Sequence, residues 1–107
     1  MEKRWLIWNV KLIKEAFEQY EFKVEDYIDL TDQQILQLID DQINKDQCKS
    51  YDAFVLYIHT HGIEDTILCS NNKRIHFYKI IEIFKDENCE YLIDKPKIIF
   101  FDCRNGE

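Results

Sequence analysis

The sequence predicts an α/β fold in which helices flank a mostly parallel central sheet, as in a three-layer sandwich. The hydrophobic period changes several times between helical and extended along the chain, and no internal repeat appears. Two nearly continuous apolar runs, Ala53–Ile58 and Ile98–Phe101, are typical of strands buried on both faces of a parallel sheet. Ligands of such sheets bind beyond the carboxyl ends of the strands, so we expect functional residues there.

Composition indicates one compact domain. The chain has 107 residues, of which 46% are hydrophobic, with two glycines and one proline. A net charge of −7 without a basic stripe disfavours nucleic acid as a partner. No apolar stretch approaches the roughly 18 residues of a membrane span, and the first residues do not resemble a signal peptide. We therefore expect a soluble, cytoplasmic protein with no membrane partner.

The cysteines and histidines do not form a metal-binding pattern. Neither CxxC pairs nor the dense spacing of a secreted disulfide scaffold occurs among the four cysteines: Cys48, Cys69, Cys89 and Cys103. Free thiols in a reducing compartment are the simpler interpretation. His59 and His61 share one face of a predicted strand, but no third ligand lies nearby in sequence. We expect no metal and no cofactor.

The first predicted element is a helix, because apolar positions step by three and four residues through Leu6, Val10, Ile13, Phe17 and Tyr20. An alternative is that Arg4–Trp8 forms a strand and Asn9 caps a shorter helix. Apolar residues then alternate over Phe22–Ile28, which predicts a short strand.

Thr31 marks the start of the second helix. Gln34 follows three residues later, in the capping-box position. The expected buried stripe of this helix consists of Ile35, Leu36, Leu38, Ile39 and Ile43.

The remaining elements follow from apolar runs and turn residues. After the strand Ala53–Ile58, we expect a hairpin arm at Thr66–Cys69, a turn at Ser70–Asn72, a helix at Phe77–Phe84, a connection over Lys85–Lys97 that contains Pro96, and the strand Ile98–Phe101.

Two potential catalytic side chains follow the predicted central strands. His61 comes after the first apolar run, and Cys103 after the second. Taken singly, the histidine has the simpler interpretation of a turn residue, and the cysteine that of a buried thiol. Because neighbouring parallel strands bring their carboxyl ends together, the pair predicts a cysteine-nucleophile hydrolase. An α/β module of unrelated role is the interpretation if the two side chains prove far apart.

Five short motifs resemble the large subunit of the caspases, in matching order: Asp29-Leu30-Thr31, His61-Gly62, Asn88-Cys89, Lys95-Pro96-Lys97 and Cys103-Arg104. The resemblance covers roughly residues 10 to 107. The spacing of 103 − 61 = 42 between the candidate catalytic residues is near the approximate fifty of caspases. The resemblance implies that residues 1–107 form a caspase large-subunit-like domain without the small subunit and without most of the region before the first helix.

Caspases are cysteine endopeptidases that cut after aspartate in apoptosis or inflammatory signalling. The resemblance implies that Cys103 is the nucleophile and His61 its proton-transfer partner, and that the backbone N–H groups of Gly62 and Cys103 stabilise the oxyanion. It also implies protein substrates, a small subunit or a second caspase chain as partner, and adaptor or inhibitor proteins. We expect the isolated chain to be inactive.

Two alignments to the caspase signature Gln-Ala-Cys-Arg-Gly remain open. Placing Cys103-Arg104 on Cys-Arg keeps the nucleophile, and Glu107 then matches too, but the strand is one residue shorter and needs a bulge. An ungapped alignment from Lys95–Lys97 puts Arg104 at the nucleophile position and Cys103 at that of the alanine. The second alignment describes a catalytically dead homologue that binds and regulates an active caspase or its adaptor.

The substrate pocket departs from the family pattern. Its glutamine is absent, and the acidic Asp102 would repel an aspartate side chain. Lys3 or Arg4 lies near the place of the family's pocket arginine, without the matching Arg-x-Gly. The possible pocket residues are therefore Lys3, Arg4, Asp102 and Arg104.

Overall fold

The computed structural model describes the backbone of residues 12–105 and the side chains of residues 12–103. Helices and strands alternate along this range, in the order α1 (described over 12–18), α2 (Asp32–Ile43), β1 (Phe54–Ile63), β2 (Thr66–Leu68), β3 (Arg74–His76), α3 (Phe77–Ile83) and β4 (Lys97–Asn105). Short 3₁₀ helices cover Asp46–Ser50, Asp86–Asn88 and Glu90–Leu92. This element order confirms the predicted α/β class.

The described strands form one mixed sheet in the order β3-β2-β1-β4. The parallel pair β1 and β4 is its longest ladder, from Phe54 opposite Lys97 to Gly62 opposite Asn105. β2 pairs antiparallel with the end of β1 and with β3. The central parallel pair was predicted, whereas β3 was not, because a three-residue strand is too short to display a period.

Both central strands extend further than the sequence predicts. A two-residue turn joins β1 to β2 through Glu64 and Asp65, whose positive φ angles of 52° and 62° are those of a type I′ hairpin turn. This hairpin extends β1 to Ile63, and β4 continues alongside to Asn105. The expectation that His61 and Cys103 follow the strand ends is therefore wrong, since both lie inside strands.

The N-terminus of α2 forms as predicted. The Gln34 backbone N–H donates to Thr31 Oγ1 at 3.2 Å, and the Thr31 backbone N–H donates to Gln34 Oε1 at 2.9 Å. These two bonds are the reciprocal capping box. Ile39 and Ile43 of the predicted stripe are buried, so local sequence and tertiary packing agree on this helix.

The two faces of the β1–β4 pair have different surroundings. α2 and α3 contribute to the hydrophobic core on one side of the sheet, where the Phe77 ring stacks on Phe101 with 4.0 Å between centroids. We call this side the core face; its strand residues are Phe54, Leu56, Ile58, Ile99, Phe101 and Cys103. The other side, the open face, carries Tyr57, His59, His61, Ile98, Phe100 and Asp102. Ile98 and Phe100 are each 44% exposed there, whereas the His59 side chain is 5% exposed, so the exposed part of this face lies along β4.

The predicted strand over residues 22–28 is wrong for the described structure. This segment belongs to neither a helix nor the sheet. It is held instead by side chains, including an edge-to-face contact of Phe17 with Phe22 and an ion pair of Lys14 with Asp26 at 3.4 Å. A cavity of about 750 Å³ is lined by both this segment and β1. Alternating apolar residues make a strand only where a neighbouring strand accepts their main-chain hydrogen bonds.

The other predicted helix and turn are confirmed. α3 spans Phe77–Ile83, and the His76 ring accepts a hydrogen bond from the Tyr78 backbone N–H at its start. The turn after β2 closes with the Asn72 N–H donating to the Cys69 carbonyl at 3.0 Å. Pro96 leads into β4, where its carbonyl accepts from the Phe54 N–H at 3.0 Å and aligns β4 with β1.

Candidate active site

The pairing of β1 with β4 determines which face of the sheet each candidate catalytic side chain occupies. Cys103 lies opposite Thr60, and His61 lies opposite Arg104. Paired residues share a face of a sheet, and consecutive residues of a strand alternate between faces. The Cys103 thiol therefore lies on the core face and the His61 imidazole on the open face. The described structure does not bring these two side chains to the same face.

Gly62 and Cys103, the two predicted oxyanion donors, are close neighbours. A β carbon at Gly62 would lie 2.8 Å from Cys103 Cβ and 3.4 Å from its Sγ. It would also lie 2.5 Å from the Thr66 carbonyl oxygen. Real β carbons do not approach this closely, so the hairpin end and Cys103 require glycine at this position. Gly62 and Cys103 are therefore tightly packed against each other where β1 pairs with β4.

The surroundings of Cys103 favour the neutral thiol. Burial raises the pKa of Cys103, and the neighbouring Asp102 carboxylate raises it further through like-charge repulsion with the thiolate. Burial likewise raises the pKa of the other three thiols: Cys48, Cys69 and Cys89. Because the thiolate is the nucleophilic form, these surroundings disfavour the nucleophilic state of all four thiols.

A carboxylate on the open face joins the two strands instead. The Tyr57 hydroxyl donates to Asp102 Oδ2 at 2.7 Å, and His59 Nδ1 lies 2.8 Å from the same oxygen. The His59 side chain is 5% exposed and that of Asp102 is 45% exposed. Burial and the bond to Asp102 raise the pKa of Tyr57 to about 12. This Tyr57–Asp102–His59 cluster therefore links β1 to β4 at the predicted site.

Sequence reasoning singled out Asp102 but missed its partners. Tyr57 had no predicted role, and His59 was weighed only as a metal ligand. The alternation of strand residues was the available signal, because it places positions 57, 59 and 61 on one face. Finding the cluster also required the register with β4, which alternation within one strand does not provide.

The other predicted pocket residues fall largely outside the described side chains. Lys3 and Arg4 precede the described range, as does the alternative strand Arg4–Trp8. The backbone of Arg104 belongs to β4, opposite His61. Of the four possible pocket residues, Asp102 is thus the one with described side-chain contacts, and these include Tyr57 and His59 of β1.

Neither a metal cluster nor a membrane span occurs in the part of the chain that the structure describes. Over that part, no three or more His, Cys, Asp or Glu side chains are grouped so as to hold a metal ion. No described helix combines the length and hydrophobicity that crossing a bilayer requires. The candidate site consists of a thiol, two imidazoles, a phenol and a carboxylate.

Comparison with known proteins agrees with the resemblance in the motifs. The chain is similar to caspase-3 of Xenopus laevis, with 33% identity over 67 residues that cover 62% of this chain and 24% of the relative. It is 31% identical to caspase-3 of Mus musculus over 96 residues, 89% of this chain and 34% of the relative. Caspase-8 of Mus musculus is 26% identical over 94 residues, 88% of this chain and 19% of the relative. The chain thus spans about a third or less of the length of these relatives.

The match to a family model extends over nearly the whole chain. The caspase domain model matches residues 7–107. This range includes α1, the four strands of the described sheet and both candidate catalytic residues. The chain therefore belongs to the caspase-domain family.

Proposed function

We propose that this chain is a non-catalytic member of the caspase family that binds another caspase chain and regulates its activity. The observation that carries this proposal is the pairing of Cys103 with Thr60, one residue from the pairing that would align it with His61. A cysteine protease needs its imidazole within hydrogen-bond reach of its thiol, about 2.6 to 3.2 Å between heavy atoms or somewhat more in an unbound site. Side chains on opposite faces of one sheet do not meet this requirement.

The chemical state of the thiol supports the same conclusion. The raised pKa of Cys103 keeps it protonated at neutral pH, and the Asp102 carboxylate adds repulsion against both a thiolate and a substrate aspartate. The ungapped alignment, in which Arg104 takes the place of the nucleophile, is consistent with the pairing of Arg104 with His61. Residues 1–107 would then act as a large-subunit-like binding domain.

The sheet offers an edge for such a partner. Within the described residues, β4 pairs on one side with β1 and lies at the end of the strand order. The edge of a strand presents main-chain donors and acceptors that a strand from another chain extends. A caspase small subunit or a second caspase chain is the proposed partner, with adaptor or inhibitor proteins as further ones. The proposed setting is cytoplasmic, in apoptotic or inflammatory signalling.

The test combines the purified chain with a full-length caspase such as caspase-3. We expect co-elution of the two chains in size-exclusion chromatography, and a saturable change in the caspase's hydrolysis of a peptide after aspartate. Cys103→Ala is the control, and it should act like the unmodified chain because the proposal assigns no chemistry to the thiol. Absence of both co-elution and effect, or loss of the effect in Cys103→Ala, would contradict the proposal.

A second candidate is a caspase-type cysteine endopeptidase, favoured by the close approach of Gly62 to Cys103. Here a small-subunit partner and a one-residue change in β4 bring Cys103 beside His61. His61 takes the proton of the Cys103 thiol, and the thiolate attacks the carbonyl carbon of the substrate aspartate residue. His61 then gives that proton to the leaving amine as the C–N bond breaks. Water then hydrolyses the thioester to release the acid and the thiol, with the N–H groups of Gly62 and Cys103 stabilising the oxyanion.

Covalent labelling separates the two candidates. The chain is mixed with a caspase small subunit and treated with a peptide electrophile that carries aspartate. The protease candidate predicts labelling that Cys103→Ala abolishes and His61→Ala slows by at least about a hundredfold, the usual contribution of a positioned acid–base group. The non-catalytic candidate predicts no difference between these variants and the unmodified chain.

A further inference from the structure

The apolar sequence of β4 does not by itself determine how β4 pairs with β1. Ile98 is followed by Ile99, and Phe100 is followed by Phe101. On the core face, a shift of one residue along β1 therefore replaces Ile99 by Ile98 and Phe101 by Phe100. The register of a strand is specified by the residues that a shift would move to the wrong face. The apolar residues Ile98 to Phe101 do not favour either register in this way.

The next two residues, Asp102 and Cys103, do distinguish the two registers. In the observed register, Asp102 lies opposite His59 on the open face and Cys103 opposite Thr60 on the core face. Moving β4 by one position would place Cys103 opposite His61 and Asp102 opposite Thr60. Phe100 would then take the place of Phe101 against Phe77, at little cost in apolar packing.

Asp102 opposes this shift near the end of β4, as Lys97 does at its start, where Nζ donates to the Leu92 carbonyl at 3.0 Å. Its Oδ2 accepts from the Tyr57 hydroxyl at 2.7 Å and lies 2.8 Å from His59 Nδ1, and both partners are on the open face of β1. The shifted register would separate the carboxylate from both partners and turn it toward the apolar core. A carboxylate in apolar surroundings is strongly disfavoured unless it is paired and hydrogen-bonded.

We propose that Asp102, held by Tyr57 and His59, is a positioning residue that disfavours a shifted register of β4 with similar apolar packing and thereby keeps Cys103 away from His61. The proposal deepens the proposed function and rests on it, since the position of Cys103 separates the non-catalytic candidate from the protease. Asp102 takes no part in chemistry in this role. It determines which face receives the thiol.

Disulfide trapping reports the register directly. Thr60→Cys and His61→Cys are each introduced into the full chain, and pairing with Cys103 under mild oxidation is measured by mass spectrometry. The other three cysteines are buried, which limits their competition: Cys48, Cys69 and Cys89. With Asp102 present, we expect trapping through Thr60→Cys and little through His61→Cys.

Asp102→Leu removes the proposed selection. We expect the ratio of trapping through His61→Cys to trapping through Thr60→Cys to rise by at least about tenfold, the effect of losing a hydrogen bond to a charged group. Asp102→Asn is the conservative control, because its amide oxygen still accepts from Tyr57 and it remains too polar for the core. Phe100→Leu, on the same face, should also leave the ratio unchanged.

A second variant keeps the test decisive if Asp102→Leu does not fold. Tyr57→Phe combined with His59→Gln weakens the hold on Asp102 from the β1 side and should move the ratio in the same direction. An unchanged trapping ratio in a folded Asp102→Leu chain overturns the proposal. If Asp102→Leu does not fold, an unchanged ratio in the double variant overturns it instead. Trapping needs neither a caspase partner nor activity, so its outcome is distinguishable from failure of the proposed function.

Discussion

Two adjacent phenylalanines on β4 show how differently the two faces of this sheet are built. Phe101 stacks on Phe77 at 4.0 Å between centroids and packs against the core. Phe100 contacts Tyr57 at 5.8 Å between centroids and is 44% exposed. The residue type is the same, so the difference arises from the register and from the helices that cover one face. The same alternation puts Cys103 and Asp102 on opposite faces, and the register decides which face each of them takes.

The largest expected effect comes from truncating these two rings separately. Phe101→Ala should lower the free energy of unfolding by about 3 kcal/mol, because it removes a core ring and leaves a cavity. Phe100→Ala should cost about 1 kcal/mol, since much of that ring is already in water. Urea unfolding followed by circular dichroism measures both. Equal losses would mean that the open face is covered in solution.

The contact of Gly62 with Cys103 gives the next effect. Gly62→Ala should cost about 2 kcal/mol, because the new methyl group meets the Thr66 carbonyl oxygen and Cys103. The adjacent Ile63 is 44% exposed, and Ile63→Leu should change stability little. The same unfolding assay compares them. A neutral Gly62→Ala would show that the ends of β1 and β4 are packed less tightly than described.

Removing one hydroxyl from the open face should have a smaller effect. Tyr57→Phe loses the hydrogen bond to the half-exposed Asp102 carboxylate and should cost about 1 kcal/mol. Tyr78, which is 71% exposed, provides the matched control, because Tyr78→Phe should be close to neutral. Indistinguishable unfolding curves for the two variants would argue against the link between Tyr57 and Asp102.

The smallest effect near neutral pH comes from proton linkage. The pKa values of Cys103 and Tyr57 are raised in the folded chain, that of Tyr57 from 10.0 to about 12. On unfolding these groups ionise more readily, so the unfolded chain binds fewer protons and stability falls as pH rises. The loss begins near the ordinary thiol value of 9.0 and continues toward 12.

Urea unfolding under reducing conditions at pH 7.5, 9 and 10.5 tests this slope. Cys103→Ala should make the decline with pH shallower, because it removes one of the contributing thiols. Stability that increases over this range would contradict the assigned direction of the pKa shifts.

Local elements were predictable because their causes lie within a few residues. The capping box of Thr31 and Gln34 needs no distant partner, and α2 begins where the sequence indicates. The strand predicted at Phe22–Ile28 failed for the opposite reason, since its alternation required a neighbouring strand that the described sheet does not contain. Strand length was also misjudged, because β1 and β4 support each other beyond their apolar runs.

The amino-acid sequence by itself determined the fold class, the starts of α2 and α3, the central apolar strands and the family resemblance, since each depends on periodicity, capping or short motifs. Only the tertiary structure decided which face Cys103 occupies. In Ile98-Ile99-Phe100-Phe101 both faces of β4 are equally apolar, so hydrophobic pattern leaves the register open. Contacts between distant residues contribute to this decision, among them those of Asp102 with Tyr57 and His59, more than forty positions away in the chain.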